Sequence, residues 1–293
     1  MTEAPDSGGA ATAGLPSLQL KVFTSPTRVI GGGGHRTFSP VTSTLIFGDE
    51  DAVLVDAQFM KEDVQALGDM IEGTGRRLVA IFITHGHGDH YFGAGPIAER
   101  FPGAKVVATP GVVSYVESHI GQDVKTWSAM FGDDAVTPSA VPTSLDGDAI
   151  GLQGHKLHVI EVGQGDIAPT AVLHVPPLGA VIAGDVAYNQ IHQMLGFGGP
   201  AEWAKWIESI DAIERLRPRI VVAGHKKPEA ADDDVAGILN GTRAYIRDFA
   251  EAAGSAGSVE DLVGAMRAKY PDHGNLTTLL FSASAAFKGR TRP

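Results

Sequence analysis

From residue 18 to 109 the apolar positions come in short runs broken by glycine, proline or acidic residues. LQLKVFTS (18–25), STLIFG (43–48) and DAVLVDAQF (51–59) carry the β-branched and aromatic residues of strands. In KEDVQALGDMIEG (61–73) the residues Val64, Leu67 and Ile71 fall on one helical face. RLVAIFIT (77–84) is apolar throughout, the pattern of a strand buried on both faces. A helix is predicted near 95–101, AKVVAT (104–109) is another short buried strand, and 110–135 reads as one or two helices. The run RVIGGGGHRTFSP (28–40) reads as a loop, because four consecutive glycines hold regular structure poorly.

The second half starts again with strands, HKLHVIEVG (155–163), TAVLHVP (170–176) and GAVIAGD (179–185). A helix at 202–217 leads to a strand at 219–225, and helices are predicted at 229–254, 258–269 and 276–287. Strands followed by a helix in both halves imply an α/β fold of two sheets face to face with helices outside. The expected organisation is a flexible tail at 1–16, a core at 17–228, and a helical C-terminal extension at 229–293 packed on that core.

Composition narrows the function. With 34 acids against 23 bases the formal charge is −11, which disfavours nucleic acid and anionic membrane partners. The chain has no cysteine, so disulfides, thiolate metal sites and a cysteine nucleophile are excluded. MTEAPDSGGAATAGLP (1–16) lacks the basic start and apolar core of a secretory leader, and no apolar run approaches the ~20 residues of a membrane span. A cytoplasmic protein is expected.

The chemistry concentrates in FITHGHGDHYFGAG (82–95), where His85, His87, Asp89 and His90 fall within six positions after a buried strand. Two further strand ends finish in Asp185 and His225. Exposing so many ligand-type groups gains nothing structurally, whereas a divalent ion such as zinc accepts imidazole and carboxylate together. By contrast His35, His119, His155, His158 and His273 each read as structural or surface residues.

THGHGDH resembles the H-x-H-x-D-H signature of the metallo-β-lactamase superfamily of hydrolases, and AGD (183–185) and AGH (223–225) follow in that family's order. The resemblance implies an αββα sandwich of two mixed sheets with a metal site at their edge. It implies a first site of His85, His87 and a Gly-His-Thr histidine, and a second of Asp89, His90 and His225, with Asp185 bridging. Here the Gly-His-Thr stretch is Gly163-Gln164-Gly165, so one ligand has changed. Gln164 could coordinate through its amide oxygen, Asp166 could substitute for it, or the first site could be incomplete. One or two ions, with zinc as the expected metal, follow from this reading.

The implied activity is hydrolysis of a small-molecule ester, lactone or related acyl substrate by a metal-bound hydroxide. Asp89 would orient that hydroxide, and His192 and Tyr188, in YNQIHQM (188–194), are the proposed substrate-side groups. Lys226 and Lys227 could hold a substrate carboxylate or be plain surface. Trp127, Met130 and Phe131 could line a pocket or belong to the core. The C-terminal helices, with KYPDHGN (269–275) between the last two, could cover the mouth or form a homodimer contact. Two other functions stay open. One is a binding protein that has lost turnover; the other is an iron oxygenase, disfavoured because that family's triad uses the histidine replaced by Gln164.

Overall fold

The computed structural model describes residues 15–31 and 36–288. Residues 1–14 of the expected tail, most of the four-glycine run, and His35 lie outside them. Two mixed sheets form the centre. The first runs Gln19–Thr24, Thr42–Phe47, Asp51–Val55, Arg77–Phe82, Lys105–Ala108, Thr143–Ser144, antiparallel up to Asp51–Val55 and parallel thereafter. The second runs Ile220–Lys226, Ala180–Asn189, Thr170–Val175, His155–Gly163, Ala149–Leu152, with only the first pair parallel.

The period-2 alternation of each strand builds three apolar layers. Ile46, Val53, Phe82, Leu157, Leu173 and Ile182 point between the sheets. Their neighbours Leu45, Leu54 and Ile81 face outward, against Leu67 and Ile71 of the Lys61–Glu72 helix and Val112 and Val116 of the Pro110–Phe131 helix. On the far side Val172, Val181 and Val221 meet Trp206, Ile210 and Ile213 of Pro200–Arg215. Ile238, Tyr245 and Phe249 of Val235–Ser255 join that same layer, as do Leu262 of Val259–Lys269 and Leu279 of Leu276–Ala286. The architecture is αββα. Among the described residues no helix is long and apolar enough to cross a membrane.

Local chemistry explains where elements depart from the simple patterns. Residues 110–131 form one unbroken helix, with Pro110 at its first position, where a missing N–H loses nothing. The helix expected from 229 starts only at Val235, because Asp234 caps it by accepting from the Gly237 N–H at 3.0 Å. The residues before it are held by Lys226, whose Nζ donates to the Ala230 carbonyl and to both Asp232 oxygens. The strand expected to finish at Asp185 continues to Asn189, with its register to Ile220–Lys226 shifting on either side of Gly184. The loop read at 28–40 contains a small antiparallel pair, Arg28–Val29 with Thr37–Phe38.

The C-terminal helices are tied to the strand that carries the site. The fully buried Thr242 hydroxyl accepts from the Tyr188 N–H at 3.2 Å and lies 3.1 Å from the Tyr188 carbonyl. Thr242→Val keeps the shape and strands that N–H, so a loss of about 1–3 kcal/mol is expected in urea unfolding, with Thr242→Ser largely restoring it. An unchanged midpoint in the valine variant would contradict this tie.

Candidate metal centre

Three backbone features deliver the site to one edge of the sandwich. The loop after Arg77–Phe82 supplies His85 and His87, and the short helix Gly88–Tyr91 that follows supplies Asp89 and His90; the bulged middle of Ala180–Asn189 supplies Asp185; the end of Ile220–Lys226 supplies His225. Gly224 is required by close approach, since a Cβ there would run into Asp185 Oδ1 and stand 2.7 Å from the Gly184 carbonyl carbon. Gly86 lies similarly tight under the Tyr115 ring.

His90 Nε2 is 3.2 Å from Asp185 Oδ1 and 3.5 Å from Asp89 Oδ2. His225 Nε2 is 3.2 Å from Asp185 Oδ2 and 3.3 Å from Asp89 Oδ2. On the other side His85 Nε2 is 4.0 Å from Asp185 Oδ2 and 3.8 Å from Asp166 Oδ1, while His87 Nδ1 is 2.8 Å from Asp166 Oδ2. Two groups result, His85–His87–Asp166–Asp185 and Asp89–His90–His225, each with ligand atoms within 4.8 Å of one another. Asp185 stands between them.

At the changed position of the sequence motif, Asp166 and not Gln164 stands beside the histidines. Asp166 faces the histidines and lines the adjoining cavity, whereas Gln164 is not among the lining residues. The Gln164 amide nitrogen donates to the Gly165 carbonyl at 3.1 Å, and its backbone N–H donates to Ser209 Oγ. Asp166 is fixed in turn by accepting from the Ile167 N–H at 2.7 Å.

A further ring of groups orients the imidazoles. Asp56 accepts from His90 Nδ1 at 2.8 Å and from the Thr84 N–H and hydroxyl; His85 Nδ1 donates to Thr84 Oγ1 at 3.0 Å. His225 Nδ1 donates to the Pro40 carbonyl at 2.9 Å, with Ser39 Oγ equally close. With every Nδ1 so engaged, the three rings turn their Nε2 atoms toward the carboxylates. Sequence reasoning missed Asp56; the one available signal was a carboxylate directly following the buried strand Asp51–Val55.

A cation fits this donor set. His85 Nε2 is buried and makes no hydrogen bond, and His90 Nε2 and Asp185 Oδ1, 3.2 Å apart, have no partner beyond each other, an arrangement that a bound cation accounts for. The ion-pair partners of Asp89, Asp166 and Asp185 are all histidines. Burial opposes charge on His87, yet Asp166 outweighs it and holds the ring at a pKa of about 9. His225 reaches about 10 by the same balance, with Asp185 as the main attraction. Burial pushes Asp89 up, but His90 and His225 bring it down to about 2. His85 is driven well below its ordinary value by burial and by His90. Burial opposes charge on His90 as well, yet Asp89 and Asp185 raise it well above its ordinary value. Protons on His87, His90 and His225 thus supply the positive charge that the carboxylates demand, and a divalent ion would displace them.

The other expected site residues are placed as follows. Tyr188 lines the cavity, donates to Asp185 Oδ2 at 2.7 Å and stacks on His225 with centroids 5.3 Å apart. His192 is corrected: it is buried, 2.9 Å from the Tyr245 hydroxyl and beside His273, and does not line the cavity. Its ring organises the junction with the C-terminal helices, where its backbone N–H also donates to the Gly274 carbonyl. Lys226 is committed to Asp232 and cannot serve a substrate carboxylate. Trp127 and Met130 line the cavity, while Phe131 packs in the core. Leu276–Ala286, through Thr277, Thr278 and Phe281, forms part of the cavity wall, with KYPDHGN outside it.

An αββα sandwich carrying a paired histidine–carboxylate centre at one sheet edge defines a class of metal-binding enzymes. The family model described as metallo-beta-lactamase superfamily matches residues 36–225, and the chain belongs to that superfamily. It is 31% identical over 157 residues to a UPF0173 metal-dependent hydrolase of Thermofilum pendens, covering 52% of this chain and 64% of that relative. It is 29% identical over 182 residues to the UPF0173 metal-dependent hydrolase PH1671 of Pyrococcus horikoshii, covering 57% and 76%. The solved metallo-beta-lactamase family protein TTHA1429 of Thermus thermophilus shares the fold with a TM-score of 0.63 at 18% identity, covering 91% of each chain. The DIM-1 metallo-beta-lactamase gives 0.57 at 18% identity, covering 80% of this chain and 99% of that one.

Two outcomes are expected. Asp166→Asn should weaken metal affinity by at least about tenfold, while Gln164→Ala stays within about twofold, as read by competition with a chromophoric chelator. The reverse ranking would make Gln164 the ligand. In chelator-stripped protein, His87 and His225 have folded pKa values of about 9 and about 10, above the ordinary 6.5. Their stabilisation is complete below pH 6.5 and is lost as pH rises through 9 to 10, so the urea midpoint should fall across that window. A midpoint that rises there would overturn the charge assignment.

Proposed function

We propose that this protein is a metal-dependent hydrolase of a small-molecule ester, lactone or related acyl substrate. The observation that carries the reading is the set of orphaned ligand atoms beside a cavity of about 420 Å³ that Asp89, Asp166, Asp185 and His225 help to line. His85, His87, Asp166 and Asp185 would hold one cation, and Asp89, His90 and His225, with Asp185 shared, a second. Zinc suits the imidazole-rich groups. A bound divalent ion supplies Lewis acidity and lowers the pKa of coordinated water from near 16 toward about 7.

The chain's own residues do the rest. Asp89, open to the cavity beside His90 and His225, would orient the attacking water and help to move its proton. Tyr188 stays a neutral phenol, because burial and Asp185 push its pKa well above the ordinary value, and it fixes Asp185 by donating to it. Trp127, Met130 and Phe38 exclude water from one wall. The metal-dependent hydrolase names of the two relatives support the class, and they leave the substrate open.

A second reading has one specific observation in its favour. His85, His87 and Asp166 make a two-histidine, one-carboxylate set, which also suits iron and oxygen chemistry. Dioxygen consumption by iron-loaded protein would favour it.

With p-nitrophenyl esters, lactones and thioesters as a panel, turnover should vanish with chelator and return with metal. Asp89→Asn should lower kcat by at least about a hundredfold with the circular dichroism spectrum unchanged. Turnover indifferent to chelator, or none with any substrate, would sink the hydrolase reading.

A further inference from the structure

The Pro110–Phe131 helix turns a mixed face to the cavity. Tyr115, His119 and Asp123 follow one another at four-residue intervals, and Trp127 continues the line. Asp123 is the one carboxylate on the cavity wall outside the metal centre, and among the described residues no lysine or arginine lines that wall. Its Oδ2 is buried without a hydrogen-bond partner. Aromatic rings also line the cavity, with Phe38 packed edge-on to Trp127 at 5.4 Å and Phe197 against Phe281 at 5.5 Å.

The mouth is apolar as well. Phe197, Leu276, Leu280 and Phe281 are four of the seven exposed large hydrophobic residues among those described, and Phe197 and Phe281 also line the cavity. An exposed apolar cluster beside a cavity marks a place where apolar surface is received. An unpaired carboxylate among aromatic faces is the chemistry that recognises an ammonium group, through charge and through the ring quadrupoles together. The overall charge of −11 draws cations toward the protein and disfavours anions.

We propose that the cavity selects acyl substrates with an apolar body and a positively charged amino group, and that Asp123 is the specificity residue receiving that group. This deepens the hydrolase reading and rests on it for the word substrate. The reacting carbonyl would lie toward Asp89 and the amino group toward Asp123 on the helix wall.

The test is read by binding, so it survives failure of the hydrolase reading. Octyltrimethylammonium and octanol, both below micellar concentrations, are titrated into metal-loaded protein by calorimetry. The wild type is expected to favour the ammonium over the alcohol. Asp123→Asn should lower that ratio at least fivefold, and Asp123→Glu should keep most of it. A ratio in Asp123→Asn equal to that of the wild type would overturn the proposal. Ester turnover is scored separately with matched p-nitrophenyl esters, and its absence would count against the hydrolase reading while the binding ratio still decides the role of Asp123.

Discussion

The structure depends on keeping four carboxylates, Asp56, Asp89, Asp166 and Asp185, buried at one end of the sandwich. An uncompensated buried carboxylate is strongly unfavourable, so the surroundings must bring positive charge to them. The clustered histidines answer that demand, and most of the local irregularity of the fold serves the encounter. The register shift in Ala180–Asn189 brings Asp185 across, Gly224 leaves room for it, and Asp56 with Thr84 locks His90 and His85 from behind. The two sheets supply rigidity: Ile46, Val53 and Phe82 pack against Leu173 and Ile182, so the loops that meet at the edge are anchored on both sides.

That arrangement also explains the division between the centre and its cavity. The metal-facing side is crowded with ionisable groups, while the opposite wall is built from Phe38, Trp127, Met130, Phe197 and Phe281. The C-terminal helices contribute to this wall through Leu276–Ala286, and they hold the Tyr188 end of the strand through Thr242. Stability of the extension and geometry of the site are therefore one problem.

Much of this was legible in the sequence because its signals are local. Alternating or all-apolar runs marked the central strands, and His85, His87, Asp89 and His90 sit too close together for a structural explanation. What escaped was set by tertiary contact. Asp56 is one carboxylate after one strand, and only the fold brings it to His90. That Asp166 and not Gln164 faces the histidines is likewise a tertiary fact, set beside a Gly163 with a φ of 96°. His192 looked like an active-site group because it follows Asp185 closely, yet the strand runs on to Asn189 and carries it past the cavity to Tyr245. The last helices were placed within a residue or two, except where Asp234 capped Val235–Ser255 later than the apolar pattern suggested.

The central claim is that this buried cluster is built around bound metal. Elemental analysis of metal per chain, on protein purified without chelator and without added metal, tests it most directly. At least one equivalent of a divalent transition metal, zinc foremost, is the expected result. A protein that contains none, and takes up none on reconstitution, would contradict it.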